Sequence, residues 1–248
     1  MRFVILHYHF LKNAGMSIES MLHRSFGSRF SSIDTSERDG HVTEEMLLDH
    51  LRRDPLLQAV SSHQIRYPVP CVPGFMFFDL CFLRDPLERI RSMYDYFREK
   101  PQEGDPVSDF ANRFSLGGFV AKLIEEMPWY IHDAQVNLLA NGIANDIPQP
   151  GDFERAVSKM LRTSFLGVVD KFHESVVAGE HFLKPVFPTL DCTMEVENVS
   201  EERAGELQEA CEPAVYEELI RVTACDAKLV DLARAEVLRR FNLAQASR

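Results

Sequence analysis

The sequence predicts an α/β protein, and three observations carry that prediction. Two short apolar runs, residues 3–10 and Phe75–Leu83, each break off into a tight polar turn and then into an apolar pattern of helical period. The third is the end of the chain, 200–241, which is mostly helical in pattern.

The elements follow in order. Residues 3–10 are rich in aromatic and branched side chains, as a core strand should be, and Lys12-Asn13-Ala14-Gly15-Met16-Ser17 interrupts them. From there Ile18, Met21, Leu22 and Phe26 recur at helical spacing, so the opening reads strand, tight loop, helix. Residues 25–40 read as a polar loop. Residues 43–57 read as a helix that Thr43 caps, with Glu44 and Glu45 in its first turn. A short strand is expected over 59–63, before a connection punctuated by Pro68, Pro70 and Pro73.

Phe75–Leu83, FMFFDLCFL, is short and aromatic enough to be a central strand buried on both faces. Arg84-Asp85-Pro86 ends it, with Asp85 as an N-cap and Pro86 as the first helical residue, and Leu87, Ile90, Tyr94 and Phe97 form the next apolar stripe. Residues 101–112 read as an exposed loop. Helical patterns follow at 119–127, 131–139 and 153–161, then a short strand over 164–169 and a helix starting near Asp170. In the last segment Leu207, Cys211, Val215 and Leu219, and then Leu229, Leu232, Ala233 and Val237, are the expected buried faces.

Composition narrows the function classes. The chain has 248 residues, 45% hydrophobic and 26% charged, with 12 Gly and 13 Pro, which excludes disorder and collagen-like repeats. One domain spanning 1–248 is expected, with an α/β core over 1–176 and a mostly helical acidic extension over 177–248. The net charge of −11 argues against nucleic acid or an anionic membrane as a general partner. Residues 191–218 hold ten acidic side chains and one Arg, so an anion site belongs in the first two thirds. Five Cys without a CxxC pair indicate reduced thiols in a cytoplasmic setting rather than a disulfide framework or a zinc site. The first apolar run is too short for a signal peptide, and no membrane span is expected.

The chemistry lies in the two strand–loop–helix units. A strand that delivers a Gly-containing loop onto a helix N-terminus makes an anion site, because the loop and first-turn N–H groups lack partners and the helix dipole favours negative charge. Lys12 adds a positive charge and Ser17 a hydroxyl. This is not GxxxxGK[ST], since Lys12 precedes the only Gly. Arg84 leaves the second strand, and Ser92 follows eight residues later in the next helix. If the two strands are neighbours, both loops open on one crevice at their carboxyl ends and face a ligand with two separated phosphate groups.

HFLKNAGMS, His9 to Ser17, resembles the 5′-phosphosulfate loop of the Golgi-type carbohydrate sulfotransferases. FLRDPLERIRSMYDYF, Phe82 to Phe97, resembles their 3′-phosphate signature, with Arg84 and Ser92 in the same relation. Weaker echoes follow in HDAQVNLLANG from His132 and FLGVVDKFHESV from Phe165. The resemblance implies a P-loop-like three-layer fold with a central, mainly parallel sheet. It implies binding of 3′-phosphoadenosine 5′-phosphosulfate (PAPS), release of 3′,5′-diphosphoadenosine (PAP), and transfer of the sulfuryl group to a hydroxyl, usually on a sugar. Lys12, Asn13, Ala14, Gly15, Met16, Ser17, Arg84 and Ser92 would then hold the cofactor, Lys12 would also serve catalysis, and no metal is required.

Three positions depart from the family pattern. Met16 stands in place of a hydroxyl residue, Asn137 in place of Arg, and Asp170 in place of Glu. His63, in SSHQIRYP between the two signatures, is the expected general base, because relatives carry a G-H-F-P-Y-like segment there and a neutral alcohol attacks poorly. His9 is expected to brace the loop or to replace His63, and His7 to be a strand residue. Gln64, Arg66 and Tyr67 are candidate acceptor contacts. The alternatives are a P-loop nucleotide kinase-like phosphotransferase, which needs a Walker Lys and a metal-holding acid, and a non-catalytic nucleotide-binding protein on the same scaffold.

Overall fold

The computed structural model describes residues 1–37, 40–66, 68, 70–140, 146–193 and 204–247. The apolar runs become strands β1 (Arg2–Tyr8), β2 (Phe30–Ser32), β3 (Ala59–Ser62), β4 (Phe75–Leu83) and β5 (Phe165–Val168). The helices of the first half are α1 (Gly15–Phe26), α2 (Glu44–Arg53), α3 (Pro86–Glu99), α4 (Pro106–Arg113) and α5 (Leu116–Glu126). Those of the second half are α6 (Ala134–Ala140), α7 (Asp152–Arg162), α8 (Phe172–Leu183), α9 (Ala204–Ala210), α10 (Pro213–Val222) and α11 (Ala224–Ala246).

The strands form one parallel sheet in the order β2-β3-β1-β4-β5. Parallel neighbours need crossover connections, which place helices over both faces. Successive side chains of a strand point to opposite faces, and the core divides accordingly. Ile5, Leu80, Phe82 and Phe165 pack with α1 and α8 on one face. Val4, Leu6, Tyr8, Cys81, Leu83 and Leu166 pack with α2, α6, α7 and α11 on the other. The result is α/β with helices on both faces of a parallel sheet, consistent with a three-layer P-loop-like fold. A third cluster contains no strand residue. It joins Met93 and Phe97 of α3 to Val107, Phe119, Leu207 and Leu219 in a helical lobe that the chain enters from the carboxyl end of β4.

Local chemistry sets the boundaries. Thr43 accepts a hydrogen bond from the Met46 amide, and Asp85 accepts from the Leu87 and Glu88 amides ahead of Pro86, as the cap residues imply. The α2 helix stops at Arg53, four residues before the expected end, where Asp54-Pro55 breaks it. Residues 25–40 contain β2, an edge strand of three residues, too short to show a period. Residues 101–112, read as an exposed loop, contain the start of α4. Asp105 accepts from the Val107 and Ser108 amides and Pro106 opens the helix, the same device as Asp85-Pro86, while Val107 and Ala111 are buried.

The first half of β4 is only partly covered, with Met76 45% exposed, so full burial on both faces holds only for its carboxyl half. Leu232 is also exposed, and Val230 takes its place beside Leu229, Ala233 and Val237 on the buried face of α11. Tyr67, Asn141, Gly142 and residues 194–203 lie outside the described residues. None of the five Cys forms a disulfide among the described residues. Among the described residues no helix is long and apolar enough to cross a membrane.

Candidate active site

A cavity of about 900 Å³ opens at the carboxyl end of the sheet, a volume suited to a nucleotide-sized ligand. Lys12, Ala14, Gly15, Met16 and Ser17 line it, together with His63, Arg84 and Ser92. Pairing of β1 with β4 brings the two distant loops together. Among the described residues, Asn13 is the one expected site residue that does not line the cavity. It is 2% exposed, and its Nδ2 donates to the Phe82 carbonyl and to Gln135 Oε1, both at 2.8 Å, so it ties the loop to the end of β4 and to α6.

The loop is held in a shape suited to anions. Lys12 and Ala14 have φ of 64° and 61°, left-handed values that cost a non-glycine residue about 1–2 kcal/mol each. Neither change of direction rests on Gly15. That glycine is required by close approach instead, because a Cβ there would come within 1.9 Å of the His9 ring. The amides of Gly15, Met16 and Ser17, in the first turn of α1, donate to no other described residue. Lys12 Nζ sits 4.2 Å from the centre of the Tyr96 ring. Burial, and then Arg84, lower the basicity of Lys12.

The arginine corner is assembled by α3, α6 and α11. Arg89, Ser92 and Tyr96 recur at i, i+3 and i+7, so one face of α3 presents all three to the cavity. Arg84 donates from Nη1 to the Lys12 carbonyl at 3.1 Å and lies 4.0 Å from Glu88. Gln135 joins the two loops. Its Oε1 accepts from Asn13 and from the Arg84 amide, and its Nε2 donates to the Arg84 carbonyl at 2.8 Å. Behind it, Asp226 of α11 accepts from the Gln135 and Val136 amides at 3.1 and 2.8 Å, capping α6, while Asp133 accepts from the Cys225 and Asp226 amides and caps α11. Burial pushes the Asp226 carboxyl up to about 6, opposed by the Arg89 guanidinium. Arg89 Nε and Trp129 Nε1, on residues that line the cavity, are buried donors without a partner among the described residues.

The histidine corner follows from strand parity. His7 and Ser61 are register partners on β1 and β3, and with His9 they occupy the face that α1 covers. The α1 helix brings Glu19. Ser61 Oγ donates to Glu19 Oε1 at 2.6 Å, His9 Nδ1 donates to the same oxygen at 3.0 Å, and His7 Nδ1 donates to Ser61 Oγ at 2.9 Å. The His9 bond, followed by the Ser61 bond, takes the Glu19 carboxyl down to about 2 against the effect of burial. Burial holds the His7 ring neutral. The facing atoms of His7, His9 and Glu19 lie within 4.8 Å of one another and are already joined by these bonds. The arrangement is a hydrogen-bond chain.

His63 stands at the end of β3 on the cavity wall. Its Nδ1 is 2.9 Å from the His9 carbonyl, which only accepts, so the proton is on Nδ1 and Nε2 keeps its lone pair. The His9 and His63 rings are 3.8 Å apart, and the His63 amide donates to Asp34 Oδ1 at 3.0 Å. Burial, and then His9, lower the basicity of His63, which favours the neutral ring.

Gln64 and Arg66, named as acceptor contacts, both line the cavity, and their side chains are also tied to neighbouring backbone. The Gln64 side chain accepts from the Thr35 amide and donates to the Glu37 carbonyl, and Arg66 donates to the His63 and Ile65 carbonyls. Sequence reasoning missed Arg89, Tyr96, Trp129 and Gln135. The spacing of Arg89 and Tyr96 from Ser92 was a signal for the first two, whereas Gln135 acts across more than 50 residues and carries none.

No protein-family model matches the chain. The chain is similar to an uncharacterized protein of Archaeoglobus fulgidus, 24% identical over 247 residues that cover 93% of this chain and 97% of that protein.

Proposed function

We propose that the protein is a sulfotransferase that moves the sulfuryl group of PAPS to a hydroxyl, most often on a carbohydrate or glycoconjugate. One observation carries the reading. The Lys12 loop, the Arg84–Ser92 corner and a histidine with its Nε2 lone pair available share one cavity. The residues fit a ligand with two separated anionic groups. The first-turn amides and Lys12 suit one, while Arg84, Ser92 and Arg89, whose Nε has no partner among the described residues, suit the other.

PAPS, when bound, supplies an activated sulfuryl group. Lys12 and the amides of Gly15, Met16 and Ser17 would hold its phosphosulfate end and would stabilise negative charge on the leaving phosphate. His63 Nε2 accepts the proton of the attacking hydroxyl, and its Nδ1–H bond to the His9 carbonyl keeps the ring in that tautomer. Met16 offers only its backbone N–H where the related family has a hydroxyl, so the loop relies on amides and Lys12.

The test is ligand preference followed by turnover. Thermal shift is expected to show stronger stabilisation by PAP than by AMP, ADP or ATP, without Mg²⁺, and labelled sulfate should pass from PAPS to a member of a panel of hydroxyl acceptors. Equal stabilisation by ATP, or a need for Mg²⁺, would favour a phosphotransferase. PAP binding without product on any acceptor would favour a binding protein.

A further inference from the structure

The base hypothesis leaves Glu19 without a role. It is an ionised carboxylate behind the cavity wall, one helical turn into α1, and two side chains from the sheet converge on it. Its bond to His9 fixes a residue that meets His63 twice, through a ring contact at 3.8 Å and through the backbone carbonyl that takes the Nδ1 proton at 2.9 Å. The His9 ring also packs directly on Gly15, where a Cβ would come within 1.9 Å of it. We propose that Glu19 is a positioning residue for proton transfer, acting through His9 to keep Nε2 of His63 toward the cavity and a negative charge behind it.

The consequence is electrostatic as well as steric. When His63 takes a proton it becomes a cation stacked on His9, and the ionised Glu19 on the far side of His9 favours that cation. The charged or titratable groups that face His63 are His7 and His9 from β1 and its end, Glu19 from α1, Asp34 from the loop after β2, and Arg66, which donates to the His63 carbonyl. Asp34 is the other anion, and it is already engaged with the Ser62 hydroxyl and the His63 amide. Of the two anions, only Glu19 reaches His63 by way of His9. The kinetic consequence rests on the sulfotransferase reading, whereas the effect on His63 itself does not.

The experiment therefore reads His63 directly. Its imidazole signal, assigned by its disappearance in His63→Ala, is titrated by NMR in the full chain for the parent, Glu19→Gln and Glu19→Asp. In Glu19→Gln, which keeps an oxygen toward His9 but loses the charge, the midpoint is expected to fall by about 0.3–1 pH unit, with PAP affinity within about twofold of the parent. The acid limb of the pH–rate profile should move by the same amount. Glu19→Asp, which keeps the charge but withdraws it, should shift the midpoint less and in the same direction. It decides the matter if Glu19→Gln does not fold. An unchanged His63 midpoint in a folded variant, whatever its melting temperature, overturns the proposal and leaves Glu19 as a structural brace. A shifted midpoint in a protein that transfers no sulfate supports the coupling and counts against the sulfotransferase reading alone.

Discussion

The histidine and arginine corners of the cavity are built in opposite ways. The histidine corner is local: His7, His9, Glu19, Ser61 and His63 come from the first 63 residues, on or just past the paired strands β1 and β3 and on α1. The arginine corner is remote. Arg84 is held by Gln135 of α6, whose amide donates to Asp226 of α11, while Arg89 donates to the Tyr130 carbonyl and faces the charge of Asp226, more than 130 residues beyond it. Both corners end in a buried or half-buried carboxylate, but Glu19 is held ionised by neighbouring donors whereas Asp226 is pushed toward the neutral form by burial. The difference teaches that chemistry and scaffold are separable on one side of the cavity and fused on the other.

The largest expected effect tests the separable side. His63→Ala should lose about 10²–10⁴-fold in turnover on a hydroxyl acceptor, the usual contribution of a positioned base, and retain PAP affinity. Initial rates and calorimetry on the same preparation check it. A parallel loss of PAP affinity would break the separation.

Next comes the fused side. Asp226→Ala should cost about 3–5 kcal/mol of stability in urea unfolding above pH 7, where Asp226 is ionised, because Arg89 is left buried without its counter-charge and two α6 amides lose their acceptor. PAP affinity should fall as well, although Asp226 does not line the cavity. If stability drops and PAP binds as before, the arginine corner does not depend on α11.

A smaller change is expected from the cavity wall itself. Arg84→Ala should weaken PAP binding by about 1.5–3 kcal/mol, the range of a charge-assisted contact to phosphate. Lys12→Ala should lower turnover more than PAP affinity. Calorimetry that finds Arg84→Ala equal to the parent would remove the 3′-phosphate from this corner.

The same contrast explains what the sequence made legible. The strand–loop–helix units, the caps at Thr43 and Asp85, and the juxtaposition of the Lys12 loop with Arg84 were readable because each is written in adjacent residues and strand pairing does the rest. The inward chain from His63 to Glu19 was half readable. His9 as a brace follows from its place before the loop, but Glu19 sits within a helix whose sequence shows only its apolar stripe. Gln135 and the reciprocal caps of Asp133 and Asp226 were not readable, since no local pattern marks a carboxylate that caps the helix of another segment. The α11 helix reads from sequence as part of an acidic extension, yet Leu229, Val230, Ala233 and Val237 pack in the same cluster as the central strand. The polar residues before Asp105 hid a cap of the kind recognised at Asp85.

The smallest effect is a pH dependence of opposite sign at the two carboxylates. Glu19 has a folded value of about 2, below the ordinary Glu value of 4.5, so the folded state favours its ionised form. Its contribution to stability is present above about pH 4.5 and is lost as pH falls toward 2. Asp226 has a folded value of about 6, above the ordinary 3.8, so the folded state favours its protonated form. Its contribution is present below about pH 4 and is lost as pH rises through 6. Relative to Glu19→Gln, the parent should therefore gain stability as pH rises from 3 to 5. Relative to Asp226→Asn, a neutral side chain of similar shape, the parent should lose stability as pH rises from 4 to 7. Urea unfolding of the three proteins across that range measures both slopes. If the Asp226→Asn difference is flat, Arg89 holds Asp226 ionised throughout, and the arginine corner is a buried ion pair rather than a protonated cap.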